Sequence, residues 1–199
     1  ATMAKRKQSG KSKGGRLRIV AGNWRSRLLD IADVDGLRPT SERIRETLFN
    51  WLAPRIQGAR CLDLYAGTGA LGLEALSRGA ASVVFVEQSP VAEKQLSKNA
   101  GELGADGASV LRQDALGFLA SARDEQFDIV FLDPPFAADL LEETCRLIDE
   151  KPVLAKGAVV YLEQDRSKAT PDLPSSWQIL KDKTAGNVRY LLAQVGEDD

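Results

Sequence analysis

Histidine is absent from the 199 residues, and cysteine occurs only at positions 61 and 145. Without histidine the chain lacks the commonest general base and the commonest metal ligand. This argues against Ser-His-Asp hydrolases, His-dependent dehydrogenases and most zinc enzymes, so we expect chemistry without a metal, or with carboxylates alone. Cys61 lies in an apolar run and Cys145 in a helical pattern, which predicts buried free thiols in a reducing cytoplasm.

Long apolar runs are also missing. No stretch approaches the roughly 20 apolar residues that a membrane span needs, and the polar, basic N-terminus lacks the apolar core of a secretory signal. Apolar residues nevertheless make up 43% of the chain, which suits one domain of ordinary size. We expect a cytoplasmic protein that is a monomer and has no membrane partner.

Acidic residues do not occur in the first 29 positions, which hold nine Lys or Arg, whereas the remainder has a net charge of -10. A basic arm on an acidic body suits a polyanion partner, although a solubilising tail would have the same composition. Residues 1–15 are rich in Lys, Ser and Gly, so we expect a disordered arm.

Residues 16–54 are predicted to form an N-terminal extension made of a hairpin and a helix. Strand-like runs at Leu17–Ala21 and Arg27–Leu29 flank a turn at Gly22-Asn23-Trp24. A helical pattern begins after Ser41, a candidate N-cap, and Pro54 is expected to end the helix.

Residues 55–195 alternate short apolar runs with helical stretches, the pattern of parallel βαβ units in a doubly wound, Rossmann-like α/β sheet. The predicted strands are Cys61–Tyr65, Ser82–Glu87, Ser109–Arg112, Phe127–Leu132 and Ala158–Leu162. The predicted helices span about 70–78, 90–103, 115–122 and 139–149. Two further runs, Trp177–Lys183 and Val188–Gln194, are expected to close the sheet as an antiparallel hairpin.

A glycine-rich turn follows the first strand of this body. Gly67, Gly69 and Gly72 satisfy the dinucleotide pattern G-x-G-x-x-G, so the glycines alone do not choose between cofactors. Asp63 favours S-adenosylmethionine, because its carboxylate would repel a pyrophosphate but could accept hydrogen bonds from a charged amino-acid end. A tight turn with a capping Asp is the structural alternative. The predicted cofactor contacts here are Asp63, Tyr65, Ala66, Gly67, Thr68 and Gly69.

Acidic residues follow the next two strands as well. Glu87 stands where nucleotide-binding sheets place an acid on the ribose hydroxyls, with Gln88 beside it. Asp114 could accept a hydrogen bond from the adenine amino group, cap the helix that starts at Ala115, or do both. We therefore add Glu87, Gln88, Asp114 and Ala115 to the predicted cofactor site.

Asp133-Pro134-Pro135-Phe136 follows the fourth strand of the body. The two prolines remove two N–H donors, which leaves the Asp133 carboxylate and the Pro134 carbonyl as acceptors. Acceptors suit an exocyclic amine, whose lone pair they can orient toward a methyl group, and Phe136 could stack on a flat base. The predicted catalytic residues are Asp133, Pro134 and Phe136, with Asp133 also counted in the cofactor site; a rigid loop with a buried Phe is the alternative.

Basic and aromatic residues of the extension are candidates for RNA contact. They are Asn23, Trp24, Arg25, Arg27, Arg38, Arg43 and Arg45. A Trp24 packed under the hairpin is the competing interpretation, as is a capped helix carrying ion pairs such as Glu42–Arg45. The hydroxyls of Thr40 and Ser41 could line the cofactor site.

Taken together, these segments resemble the bacterial 16S rRNA guanine-N2 methyltransferases that modify guanine 966. The resemblance rests on Gly22 to Arg25, Leu37 to Asn50, Asp63 to Gly69 and Asp133 to Phe136, and it covers residues 16–195. It implies a seven-stranded methyltransferase sheet, S-adenosylmethionine as cofactor, and a guanine of 16S rRNA in the assembled or partly assembled small ribosomal subunit as substrate.

Three other functions fit parts of the pattern. An adenine-N6 or cytosine-N4 methyltransferase would use the same Asp-Pro-Pro-Phe motif, although the chain shows no separate DNA-recognition domain. A nicotinamide-dependent dehydrogenase would use the glycines but leave Asp133 to Phe136 unexplained. A non-catalytic RNA-binding or assembly module would not need both motifs intact.

Overall fold

The computed structural model describes residues 15–122, 125–135 and 140–196. Its strands are β1 Arg16–Arg18, β2 Leu28–Asp30, β3 Arg60–Asp63, β4 Ser82–Glu87, β5 Ala108–Arg112, β6 Phe127–Leu132, β7 Leu154–Asp165, β8 Gln178–Ala185 and β9 Val188–Gln194. Its helices are α1 Glu42–Ile56, α2 Ala70–Ser77, α3 Pro90–Leu103, α4 Ala115–Ser121 and α5 Leu141–Glu150.

Seven strands form one mixed sheet in the order β5-β4-β3-β6-β7-β9-β8. Strands β3 to β7 pair in parallel, whereas β9 pairs antiparallel with both β7 and β8. The predicted α/β sheet with a closing antiparallel hairpin is therefore confirmed. From β3 the chain adds β4 and β5 on one side, and it then returns to add β6 and β7 on the other side of β3. Such a switch point between β3 and β6 opens a crevice beyond the carboxyl ends of the strands.

Alternate residues of the central strands enter two separate cores, one on each face of the sheet. Cys61 and Ile129 join a core that holds α1, α2 and α3, whereas Leu62 and Val130 join a core that holds α4 and α5. This alternation follows from the period of two along a strand, and burial on both faces explains the continuous apolar runs. Both cysteines are buried and free, as predicted, and burial raises the pKa of each thiol to about 12.

The helix α1 continues through Pro54 to Ile56, so the expectation that Pro54 would end it was wrong. Pro54 removes the hydrogen bond to the carbonyl of Asn50, an exposed residue, and the helix ends two residues later, so one lost bond in the last turn does not stop it. The predicted N-cap is correct, because the Ser41 side chain accepts a hydrogen bond from the N–H of Ile44 at 3.2 Å.

The N-terminal hairpin is present as β1 and β2, which pair antiparallel over three residues. Its connecting loop lies on the end of α2, where the backbone N–H of Asn23 donates to the Ser77 carbonyl at 2.8 Å and that of Trp24 to Ser77 Oγ at 3.0 Å. Gly22 has φ +88°, and a Cβ there would lie 2.0 Å from the Ser77 carbonyl oxygen. The Gly22-Asn23-Trp24 segment is therefore a docking turn that requires glycine.

A buried ion pair holds the same loop. Glu74, inside the apolar helix α2, accepts hydrogen bonds from the N–H groups of Val20 and Ala21 at 2.9 and 3.1 Å. It also pairs with Arg45 at 3.1 Å and Arg78 at 3.0 Å. Three of these four donors, Val20, Ala21 and Arg45, belong to the extension, so the buried carboxylate connects the extension to the body.

Within the described part of the chain, no helix combines the length and the apolar character that a membrane span requires.

Candidate active site

The carboxyl ends of four parallel strands bring the predicted site residues to one edge of the sheet. Asp63 ends β3 and Glu87 ends β4, while Asp133 comes directly after β6 and Asp114 comes two residues after the end of β5. These strands are neighbours in the sheet, so the acidic residues that are far apart in the sequence form one crevice.

The glycine turn and the predicted ribose acid are joined directly. The backbone N–H of Gly67 donates to Glu87 Oε2 at 2.7 Å, and that of Ser89 donates to Oε1 at 3.0 Å. Gly67 and Gly69 have φ +56° and +78°, and a Cβ on Gly69 would lie 2.3 Å from a Leu96 methyl group. The glycines are thus required by the backbone conformation and by the close approach of α3.

Asp63 is buried under this turn, with 3% of its surface exposed. Its Oδ2 accepts a hydrogen bond from the N–H of Gly72 at 3.1 Å. Burial, and to a smaller extent the charge of Glu87, raises the pKa of the Asp63 carboxyl to about 8, while the Gly72 hydrogen bond acts in the opposite direction. A positively charged ligand group would relieve this cost.

A second group of acidic side chains lies near the carboxyl ends of β6 and β7, with Asp133 just after β6 and Glu163 within β7. Glu163 Oε2 accepts hydrogen bonds from the Tyr161 hydroxyl at 2.9 Å and from Thr40 Oγ1 at 3.3 Å. Burial, followed by the charges of Glu163 and Asp63, raises the pKa of Asp133 well above its ordinary value, and a hydrogen bond from Thr40 lowers it. Burial also raises the pKa of Glu163.

Glu163 and Tyr161 were missed by the sequence interpretation. The signal was available, because Glu163 follows the predicted strand Ala158–Leu162 just as Asp133 follows Phe127–Leu132. The carboxyl ends of adjacent parallel strands meet at the same edge, so an acid after each strand falls in the same crevice. Tyr161 carries no such signal, since an aromatic residue in a buried strand is ordinary core.

A pocket of about 60 Å³ opens beside the Asp-Pro-Pro loop. Its lining includes Pro134 and Pro135, Leu141 and Glu142 of α5, and Glu163 and Gln164 of β7. The pocket therefore adjoins the acceptors Asp133 and Pro134. Phe136 lies outside the described residues, so its predicted stacking role stays a prediction.

The remaining predicted cofactor residues surround the same edge. Asp114 caps α4, since its Oδ2 accepts a hydrogen bond from the N–H of Gly117 at 3.0 Å; its adenine role stays a prediction. The hydroxyl of Tyr65 is hydrogen-bonded to Thr144 Oγ1 at 2.7 Å. The other positions are Ala66, Thr68, Gln88 and Ala115, of which only Gln88 is exposed.

Arg45 was wrongly assigned to RNA contact. Only 2% of it is exposed, and its guanidinium donates to the carbonyls of Thr40 and Arg18 and to Glu74. The Glu42–Arg45 ion pair of the alternative interpretation is not found among the described residues. Glu42 instead pairs with Arg18, with 2.7 Å between Oε2 and the guanidinium nitrogen. A buried guanidinium group needs fixed acceptors. The Thr40 and Arg18 carbonyls and the Glu74 carboxylate supply them, so Arg45 is stable in the interior.

The other RNA candidates lie on or near the surface. Exposed positions are Asn23, Arg25, Arg27, Arg38 and Arg43. Trp24 is half-buried and packs against the core that contains α1 and α2, which supports the packing alternative for this ring while leaving part of it accessible.

The described residues contain no group of three or more His, Cys, Asp or Glu side chains arranged to hold a metal ion.

Sheet order, glycine turn and acidic strand ends together define a class I, S-adenosylmethionine-dependent methyltransferase fold. The RNA methyltransferase from Salinibacter ruber in complex with S-adenosyl-L-homocysteine shares this fold with a TM-score of 0.61, at 18% identity over 81% of this chain and 96% of that one. At this identity the likeness concerns the fold alone.

Nearer relatives define the family. A profile described as conserved hypothetical protein 95 matches residues 17–194. The ribosomal RNA small subunit methyltransferase D of Escherichia coli K12 is 46% identical over 97% of this chain and 98% of that protein. The solved yhhF protein of Escherichia coli is 43% identical, with a TM-score of 0.85 over 92% of this chain and 100% of that one. The chain therefore belongs to the ribosomal RNA small subunit methyltransferase D family.

Proposed function

We propose that this protein transfers a methyl group from S-adenosylmethionine to the exocyclic N2 amine of a guanine in 16S rRNA of the small ribosomal subunit. The observation that supports the proposal is that the glycine turn, hydrogen-bonded to Glu87 through Gly67, and the acceptors Asp133 and Pro134 lie at the same edge of the sheet. The assignment of small-subunit rRNA as substrate is supported by the 46% identity to the ribosomal RNA small subunit methyltransferase D of Escherichia coli. The choice of guanine as the base, and of its N2 atom as the methylated position, rests on the resemblance of the motifs to the family.

The residues of the crevice fit S-adenosylmethionine. Asp63 would face the amino-acid end, Glu87 the ribose hydroxyls and Asp114 the adenine amine, with Tyr65 to Gly69, Gln88 and Ala115 forming the surrounding wall. The burial of Asp63 supports this fit, because burial raises its pKa to about 8 and a cationic ligand would stabilise its ionised form. When bound, the cofactor supplies a methyl group on a positively charged sulfur.

Asp133 and the Pro134 carbonyl would hold the two hydrogens of the amine and orient its lone pair toward the methyl carbon. A base amine is a weak nucleophile because its lone pair is delocalised, so positioning is the main contribution of the protein. The amine becomes acidic only as it is methylated, so Asp133 need not be a strong base to receive the proton. Phe136 is proposed to stack on the target base.

RNA contact is proposed for the exposed residues of the extension. These are Asn23, Arg25, Arg27, Arg38 and Arg43, with the accessible part of Trp24. We propose that residues 16–54 act as an RNA-binding extension on the 55–195 methyltransferase body, that residues 1–15 form a basic arm, and that the protein works in the cytoplasm as a monomer.

The proposal is tested by mapping the methylated nucleotide. Small ribosomal subunits that lack the modification are incubated with the protein and S-adenosylmethionine, and the 16S rRNA is digested and analysed by mass spectrometry. We expect one N2-methylguanine. Methylation of an adenine or cytosine, or methylation of naked DNA at a similar rate, would contradict it and favour an adenine-N6 or cytosine-N4 methyltransferase.

Cofactor affinity should depend on pH through Asp63. Its pKa of about 8 in the free protein means that, below that pH, a cationic ligand must displace a proton. The affinity for S-adenosylhomocysteine should therefore rise roughly tenfold per pH unit between about 6 and 8, then level off. Calorimetry in buffers of different ionisation enthalpy measures both affinity and proton release. The Asp63→Asn variant should bind S-adenosylhomocysteine more weakly, and its affinity should not change with pH over this range. An unchanged pH dependence in this variant would exclude Asp63 as the source of the effect.

A further inference from the structure

Glu163 occupies a distinctive position beside the proposed methylation site. It follows Leu162 of β7, and Leu162 is paired in register with Leu132 of β6, the residue that precedes Asp133. Glu163 and Asp133 therefore extend from adjacent strands at the same sheet edge. Glu163 is a buried charged residue with 5% of its surface exposed.

The two carboxylate oxygens of Glu163 have different surroundings. Oε2 accepts hydrogen bonds from Tyr161 and Thr40, whereas Oε1 has no hydrogen-bond partner in the part of the chain that the structure describes. Every fully buried side-chain nitrogen or oxygen of the described residues has a partner. Oε1 must therefore reach open space, and Glu163 lines the pocket that Pro134 also lines.

We propose that Glu163 Oε1 accepts a hydrogen bond from the N1–H of the target guanine and so selects guanine over the other bases. This inference rests on the proposed function. Guanine presents N1–H and the N2 amine side by side, so an acceptor next to Asp133 and Pro134 matches this edge. Adenine and cytosine present a ring nitrogen lone pair beside their amine, and that lone pair would face the Glu163 oxygen.

The bonding of Oε2 supports this role. Donors from Tyr161 and Thr40 hold the carboxylate in one orientation, so the free oxygen is preorganised for a ligand donor. Burial raises the pKa of Glu163, and a hydrogen bond from the base edge would favour its ionised form again. A base without the N1 hydrogen would leave the Glu163 acceptor unpaired. A site built to bind one hydrogen-bonding group strongly rejects an analogue that lacks this group.

The test uses 2-aminopurine, which keeps the amine at position 2 but has no N1 hydrogen. Small subunits are reconstituted with guanine or 2-aminopurine at the mapped nucleotide, and kcat/KM is measured for each. The wild-type protein should prefer guanine by about 100-fold or more. Glu163→Gln can donate its amide N–H to N1 of 2-aminopurine, so the preference should fall by at least about 10-fold. Melting temperature and S-adenosylhomocysteine binding establish that the variant is folded.

Tyr161→Phe is the matched control, because it removes one of the two donors to Oε2, while Thr40 still orients the carboxylate and Oε1 remains an acceptor. It should lower kcat/KM for both substrates in proportion, with a ratio within about threefold of the wild-type ratio. Equal kcat/KM values of the wild-type protein on guanine and 2-aminopurine would overturn the inference. It would also be overturned if Glu163→Gln kept the wild-type ratio of the two kcat/KM values, or if Tyr161→Phe changed that ratio as much as Glu163→Gln does. A wild-type protein that methylates no guanine would instead overturn the proposed function, and this inference with it.

Discussion

Replacing Asp133 by alanine is expected to lower methyl transfer by about 100-fold or more, while S-adenosylhomocysteine binding weakens by less than about threefold. The side chain is one of two acceptors proposed to hold the amine, and its removal leaves the Pro134 carbonyl alone to orient the lone pair. Single-turnover transfer to small subunits measures the first quantity, and calorimetry the second.

The stability of the Asp133 variant gives an independent check. Burial and the charges of Glu163 and Asp63 raise the pKa of Asp133, which means that its ionised form is disfavoured in the folded protein. Asp133→Ala should therefore melt at the same temperature as the wild type or higher. Asp106, an exposed acid before β5 and away from the crevice, is the matched control, and Asp106→Ala should keep activity within about twofold. Full transfer by Asp133→Ala would exclude the assigned role.

Replacing Glu74 by leucine should destabilise the protein by about 3–5 kcal/mol. Only 2% of the Arg45 side chain and none of the Glu74 side chain is exposed. The substitution leaves the Arg45 charge buried without its partner, and it leaves the N–H groups of Val20 and Ala21 unpaired. For a chain of this size the melting temperature should fall by roughly 6–20 °C.

The exposed pair Arg146–Glu150 provides the comparison, with 59% and 55% of the two side chains exposed. Glu150→Ala should change stability by less than about 1 kcal/mol, because water screens the pair. The double variant Arg45→Met with Glu74→Leu should recover part of the loss but not all of it, since the two backbone N–H groups remain unpaired. A cost for Glu74→Leu no larger than that for Glu150→Ala would show that the buried network contributes little.

The fold was largely predictable from the sequence because its signals are local and periodic. Apolar strands buried on both faces read as continuous runs, as in Phe127–Leu132, and helices began at recognisable caps such as Ser41 and Asp114. Pro54 misled the prediction because a proline's effect depends on its place in the helix, which the local sequence does not show. The carbonyl that Pro54 leaves without a helical donor belongs to Asn50, an exposed residue.

The chemistry of the site was also visible in the sequence wherever a residue followed a strand. Asp63, Glu87 and Asp133 were all predicted at the crevice, because parallel strands end at a common edge. Arg45 and Glu74 show the limit of this reasoning. Both are charged residues in helices, and the sequence favours a surface position for each of them; only the packing of the hairpin loop on α2 reveals that they face one another.

The sequence by itself determined the class of fold, the glycine turn and the acidic ends of four strands, since these depend on periodicity and on residue type at a strand end. Only the tertiary structure decided which charges are buried, which oxygen of Glu163 has no hydrogen-bond partner among the described residues, and that the Gly67 N–H binds Glu87. These properties depend on neighbours that are distant in the sequence, such as Thr40 and Glu163, and a local pattern carries no information about them.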